Sequence, residues 1–248
     1  ELETTFSCIL TALLIVSFPT VTASFAFMFT ADEYMMAFLT AVAGIYLTSR
    51  YKYGIIPGII CVGLSIGTYQ AYISVMLCII LVNIIRNIFL NNKTLKTIIF
   101  ENLKYIPLLL GGFLFYKAAS TAINAYYHIE LTDYQGIGQI HLMSLWDYKQ
   151  AFFKVYYEFL HLFSLNEALD IYWYGYANQI VLILIVILTL FFLIDHKTYK
   201  HPIAAVAGIL CIPAIPAAAC FIFFVSSDVW YHTLMEMGAC FLYLLLLC

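Results

Sequence analysis

Long apolar runs separated by short polar breaks dominate the chain, and their lengths predict helices that cross a membrane. Apolar windows fall at 5–28, 34–49, 54–67, 70–86, 106–124, 178–194, 202–225 and 232–248. A span needs roughly 20 apolar residues, so the pattern reads as an all-α, polytopic transmembrane bundle of about eight spans. Pro107 and Pro202 sit at first-turn positions, where a missing N–H is harmless. Pro19, Pro57, Pro213 and Pro216 lie inside windows and predict kinks.

One break stands out. "SIGTYQAYIS" (65–74) interrupts an uncharged apolar stretch running from Gly54 to Ile85. Fourteen residues, 54–67, cover only about 21 Å of a hydrocarbon core roughly 30 Å thick. Lys52 and Arg86 nevertheless flank the stretch. A turn between two helices at "GTYQAY" puts both cations on the same side; one uninterrupted helix would not.

Composition supports the membrane reading: 64% of the residues are hydrophobic, 10% are charged, and the mean hydropathy is +0.95. The net charge of −3 suggests no nucleic-acid partner. All seven cysteines (Cys8, Cys61, Cys78, Cys211, Cys220, Cys240 and Cys248) lie in apolar runs without Cys-x-x-Cys spacing, and read as small buried hydrophobes. No metal and no cofactor is expected. The chain begins at Glu1 and stops at Cys248 inside "FLYLLLLC", which reads as one transmembrane domain, 1–248, truncated at both ends.

Basic residues orient the bundle. Segments 50–53, 86–105 and 195–201 hold Arg50, Lys52, Arg86, Lys93, Lys96, Lys104, Lys197 and Lys200, eight of the eleven basic residues, and are placed in the cytoplasm. The Asn92-Lys93-Thr94 sequon then faces inward. Ten of the fourteen acids, Asp32, Glu33 and Glu236 among them, fall on or near the outer side. Residues 125–177 form an outer loop. Within it, 146–164 places Asp147, Gln150, Lys154, Glu158 and His161 on one stripe of an interfacial amphipathic helix. "DIYWYGY" (170–176) is an aromatic belt leading into the next span.

Several residues carry candidate chemistry beside a plain structural use. The adjacent acids Asp32 and Glu33 could orient a metal, act as a general base, or cap the helix that follows. Lys117, about 10 Å inside a span, can snorkel to the surface or meet a phosphate. His232 and Glu236, four residues apart, can shuttle a proton or satisfy each other; Asp228 lies just before them. Tyr69, Gln70 and Tyr72 have the apolar rings, hydroxyls and amide of a sugar-binding surface, although interfacial tyrosines are also ordinary anchors.

"GLSIGTYQAYISVMLCIILV" (63–82), preceded by "FTADEYMMAFLTAVAGIYL" (29–47) and followed by "YHTLMEMG" (231–238), resembles the GtrII-like bacterial glucosyltransferases. Tyr69-Gln70-Ala71-Tyr72 is the specific block; the remainder is hydropathy pattern. The resemblance implies a GT-C-like enzyme of the bacterial inner membrane with its active site on the outer face. It would take glucose from a polyprenyl-phosphate carrier and add it to a lipopolysaccharide O-antigen or another surface glycan. It also implies an acidic base on an outer loop, a position that Asp32 and Glu33 match, while an earlier acidic loop of the family would lie upstream of Glu1. On this reading Asp32 or Glu33 is catalytic, Lys117 meets the donor phosphate, and Tyr69, Gln70, Tyr72, His232 and Glu236 contact substrate. The partners are a lipid-linked sugar, a glycan acceptor and membrane lipids. The rivals are a flippase of lipid-linked sugars and a structural membrane subunit. A flippase should carry polar residues along its spans at all depths, whereas here they crowd the outer side.

Overall fold

The structure, a computed structural model, describes residues 5–89, 95–129, 144–164, 172–195, 202–226 and 231–244, and every regular element among these residues is a helix. In chain order they form α1 (Thr5–Ser17), α2 (Pro19–Ser24), α3 (Ala31–Arg50), α4 (Ile55–Thr68) and α5 (Ile73–Phe89). There follow α6 (Leu95–Leu103), α7 (Tyr105–Tyr127), α8 (Leu145–Ser164), α9 (Tyr172–Asp195), α10 (Pro202–Ala219) and α11 (Cys240–Leu244). Short 3-10 segments at Phe25–Phe27, Gln70–Tyr72, Phe221–Phe224 and Thr233–Ala239 break this pattern. The Asn92 sequon, Asp228, Asp170-Ile171 and most of the 125–177 loop apart from α8 lie outside the described residues.

Among the described residues two helices are long and apolar enough to cross a membrane, Gln70–Phe89 and Leu95–Tyr127, and a bent pair, Thr5–Ser17 with Pro19–Phe27, makes a third if it counts as one span. That pair bends by 44° where Pro19 starts the second helix, as expected of a proline that cannot continue the ladder. Pro57 behaves differently from the expectation of a kink. It is the third residue of α4, where its missing N–H has no partner to lose. The 86–105 connection also differs from a simple loop: residues 95–103 form α6, which leads into α7. The last window, 232–248, opens as a 3-10 segment and turns α-helical only at Cys240.

The helices pack through small residues, which let backbones approach where lipid supplies no hydrophobic drive between spans. On α3 the buried stripe is Ala37, Ala41 and Ile45, at helical spacing. It meets α4, where Ser65 donates its hydroxyl to the Ala37 carbonyl at 2.8 Å. A Cβ on Gly44 would come within 2.8 Å of Val62. On the other side of α4, Gly63 and Gly112 let α4 and α7 touch: a Cβ on Gly112 would overlap the Val62 side chain, and one on Gly63 would overlap the Phe115 ring. Leu110 and Leu114, on the opposite face of α7, are exposed. Such a surface suits lipid.

Helix α8 starts with a capping box. Ser144 Oγ accepts from the Asp147 N–H at 3.2 Å, and Asp147 Oδ2 accepts from the Ser144 N–H at 3.0 Å. Its buried stripe is Ala151, Val155 and Phe159, and it packs on α9, α10 and the Phe221–Phe224 turn. Lys154 and Glu158, from the polar stripe, flank these buried positions and are themselves partly buried. Trp146, Phe153 and Tyr157 are exposed. The polar stripe therefore turns partly toward the protein and the aromatic face away from it.

Candidate active site

The site assembles around the break at 69–72. Helix α4 ends when Tyr69 adopts an extended conformation (φ −151°, ψ 101°), its N–H closing on the Ser65 carbonyl at 2.8 Å. One 3-10 turn, Gln70–Tyr72, then leads into α5, and Ser74 Oγ donates back to the Ala71 carbonyl at 2.7 Å. These polar side chains serve backbone groups that a broken ladder leaves open.

Around the turn lies a cluster of edge-to-face rings. Tyr34 meets Tyr69 at 4.8 Å between centroids, Tyr69 meets Tyr72 at 5.0 Å, and Phe38 meets Tyr72 at 6.2 Å. Tyr72 is fully buried, and its hydroxyl has no hydrogen-bond partner among the described residues. Gln70 points the other way, its Nε2 donating to Tyr116 Oη of α7 at 3.0 Å.

That pair stands at one end of a cavity of about 580 Å³. Its walls are α5 (Ile73, Leu77), α7 (Leu109, Phe113) and the Phe221–Phe224 turn, and Tyr148 of α8 joins them. A second cavity of about 320 Å³ shares Leu77, Phe221 and Phe224 with the first and continues to Ile84. Together they form an apolar groove along α5, from Gln70 to Ile84, roughly 20 Å long at helical rise. Its polar side chains, Gln70, Tyr116 and Tyr148, all line the larger cavity, none the Ile84 end.

Phe223, in the same 3-10 turn, does not line the groove. It is fully buried, with Lys154 Nζ 4.6 Å from its ring centre and the Tyr231 ring at 5.2 Å. Cys220 donates to Tyr231 Oη at 3.5 Å. Glu236 belongs to this second cluster: its Oε2 is buried without a hydrogen-bond partner among the described residues, and Glu158 of α8 acts on it electrostatically. An unpaired buried polar atom costs about 1–3 kcal/mol, so its presence asks for a reason.

The segment that bears Glu236 is held on both sides. Thr20 Oγ1 donates to the Thr233 carbonyl at 2.8 Å. Gly238 presses on α5, where a Cβ would meet Ser74 Oγ at 3.0 Å. Met235 packs with Ala71 of the turn and Ile222. Thr233–Ala239 is seven residues of 3-10 helix, longer than such segments usually run, and sits directly against the Tyr-Gln-Ala-Tyr turn.

The residues singled out in the sequence thus divide. Tyr69, Gln70 and Tyr72 lie together, and His232 and Glu236 belong to a segment packed on them. Asp32 and Glu33 are exposed in the first turn of α3, where negative charge suits a helix N-terminus; the next residue, Tyr34, reaches the ring cluster. Lys117 follows Tyr116 but is exposed and lines neither cavity. Sequence reasoning missed Tyr116, Tyr34 and the inward turn of Lys154 and Glu158. No three His, Cys, Asp or Glu side chains among the described residues gather as a metal site.

No curated protein and no solved structure matches the chain. A family model does, that of glucosyl transferase GtrII, over residues 1–243. A match over nearly the whole length, in a helical chain whose Tyr-Gln-Ala-Tyr turn stands at the polar end of an apolar groove, settles the family: the chain belongs to the GtrII glucosyl transferases.

Proposed function

We propose that the protein transfers glucose from a polyprenyl-phosphate carrier to an O-antigen or other surface glycan, at the outer face of the bacterial inner membrane. The observation that carries this reading is the groove. Its length and apolar walls suit an isoprenoid chain, and the amide and phenols of its larger cavity suit a sugar at the lipid's head. Gln70, with Tyr116, holds the sugar, Tyr69 and Tyr72 pack behind the turn that carries Gln70, and Lys117, one residue from Tyr116, snorkels toward the donor phosphate. The acceptor's proton goes to a carboxyl at this end of the bundle: Asp32, Glu33 or Glu236. His232 completes the polar rim.

In this reading the bundle is GT-C-like with about eight spans, and α8 lies at the outer interface with its aromatic face in the lipid. A flippase for lipid-linked sugars fits the groove less well. From Leu77 to Ile84 it is lined by apolar side chains alone, so it offers a sugar no polar route across the membrane.

Membranes containing the full-length protein, supplied with polyprenyl-phosphoglucose and a glycan acceptor, should incorporate glucose. Gln70→Ala, Asp32→Asn and Glu33→Gln test the site in the same assay. Unchanged incorporation in all three would remove the site assignment, and none by the unaltered full-length protein would count against the activity.

A further inference from the structure

We propose that Glu236 is the base of the reaction, accepting the acceptor hydroxyl's proton on the Phe223 side of the Phe221–Phe224 turn. This rests on the glucosyl-transfer reading and narrows it from three carboxyls to one.

The one-turn segment Phe221–Phe224 stands between the groove and the cluster that surrounds Glu236. Phe221 and Phe224 line the groove, while Phe223 lies under Lys154 and against Tyr231 on the other side. A base has to stand near the sugar end of the groove, and the segment that bears Glu236 packs against the Gln70–Tyr72 turn at that end. Ala71 and Met235 pack in one cluster with Ile222, and Glu236 is the next residue after Met235. Its position is fixed by contacts that do not involve its own carboxyl: Thr20 on Thr233, and Ser74 against Gly238.

The carboxyl itself has the features of a working group. Oε2 is buried and unpartnered among the described residues, while the residue as a whole is partly exposed. The titratable groups acting on it or sharing its surroundings are Glu158 from α8, Cys220 from the end of α10, and Tyr231 and His232 from its own stretch. Asp32 and Glu33 offer a contrast: both are exposed and both suit the N-terminus of α3 without any further role.

The step balances as follows. The acceptor oxygen forms a bond to the anomeric carbon, the bond from that carbon to the phosphate oxygen breaks, and its electron pair leaves on the polyprenyl phosphate. The acceptor proton passes to the Glu236 carboxylate and then to water. General-base assistance of this kind is worth about 10²–10⁴-fold.

The test compares full-length Glu236→Gln and Glu236→Ala with the unaltered protein, measuring both glucose transfer and protection from thermal unfolding by polyprenyl-phosphoglucose. Transfer should fall about 100-fold or more in both variants. Donor protection should persist, and added formate should restore part of the Glu236→Ala activity by standing in for the lost carboxylate. Transfer by Glu236→Gln within about threefold of the unaltered rate would overturn the assignment, because a positioned base is worth far more. So would joint loss of donor protection and transfer without formate rescue, which would make Glu236 a structural residue. Failure of the unaltered protein to transfer glucose would instead strike the glucosyl-transfer reading beneath it.

Discussion

Gln70 shows how far a single residue can be read. An amide among apolar residues is conspicuous because its two donors and its acceptor need partners, and the sequence marks it for that reason. Its partner is not conspicuous: Tyr116 is one of 20 tyrosines, and the charge on Lys117 beside it draws the attention. Which tyrosine an amide meets depends on the pairing of α4 and α7, which no local pattern encodes. The pair makes a prediction. Tyr116→Phe removes the acceptor of the 3.0 Å bond and leaves a part-buried donor unpaired, at about 1 kcal/mol. If Gln70 orients the sugar, KM for the donor rises severalfold while kcat changes little. A fall in thermal stability with KM unchanged would make the bond a tie between helices only.

At the level of elements, most helix boundaries were legible from apolar windows and prolines, but the 3-10 segments were not. Thr233–Ala239 opens an apolar stretch that runs on to Leu244, and what holds it out of α-helical form is tertiary: the hold of Thr20 at one end and the tight seat of Gly238 on Ser74 at the other. Helix α8 gives a second instance. The spacing of Lys154 and Glu158 separates a polar from an apolar face, yet periodicity does not say which face meets the protein, and here the polar one does so in part. The glycine seam between α4 and α7 is the tightest packing that the sequence left unmarked. Gly112→Ala should destabilise the protein by about 1–3 kcal/mol through overlap with Val62, measured as a lower midpoint of thermal unfolding in detergent. Leu114→Ala, on the exposed face of the same helix, should change it far less.

For the molecule as a whole, the distribution of Lys and Arg makes a claim about sidedness that reporter fusions can check. Fusions ending at Lys52 and Lys104 should report the cytoplasm, and one ending at His128 the outside. A reversed pattern would put the candidate site on the wrong face for surface glycan. The two walls of the groove are also unlike each other. On one side α7 is locked to α4 by close backbone contact at Gly63 and Gly112. On the other, α10 runs through Pro213 and Pro216, each of which removes a hydrogen bond from its ladder, and gives way to the Phe221–Phe224 turn. Replacing both prolines by Ala should restore hydrogen bonds to α10 and slow turnover without weakening donor binding, readable as a lower kcat at unchanged or lower donor Kd.

The 2.6 Å hydrogen bond from the Tyr156 hydroxyl to the Pro213 carbonyl then takes on a mechanical meaning. It ties α8 to the proline-bearing wall, so the helix that carries Lys154 and Glu158 and the wall that lines the groove are joined by a side chain as well as by packing. A shift of α10 would have to carry α8 with it or break that bond, which makes Tyr156 the place where the two sides of the Phe221–Phe224 turn are mechanically joined.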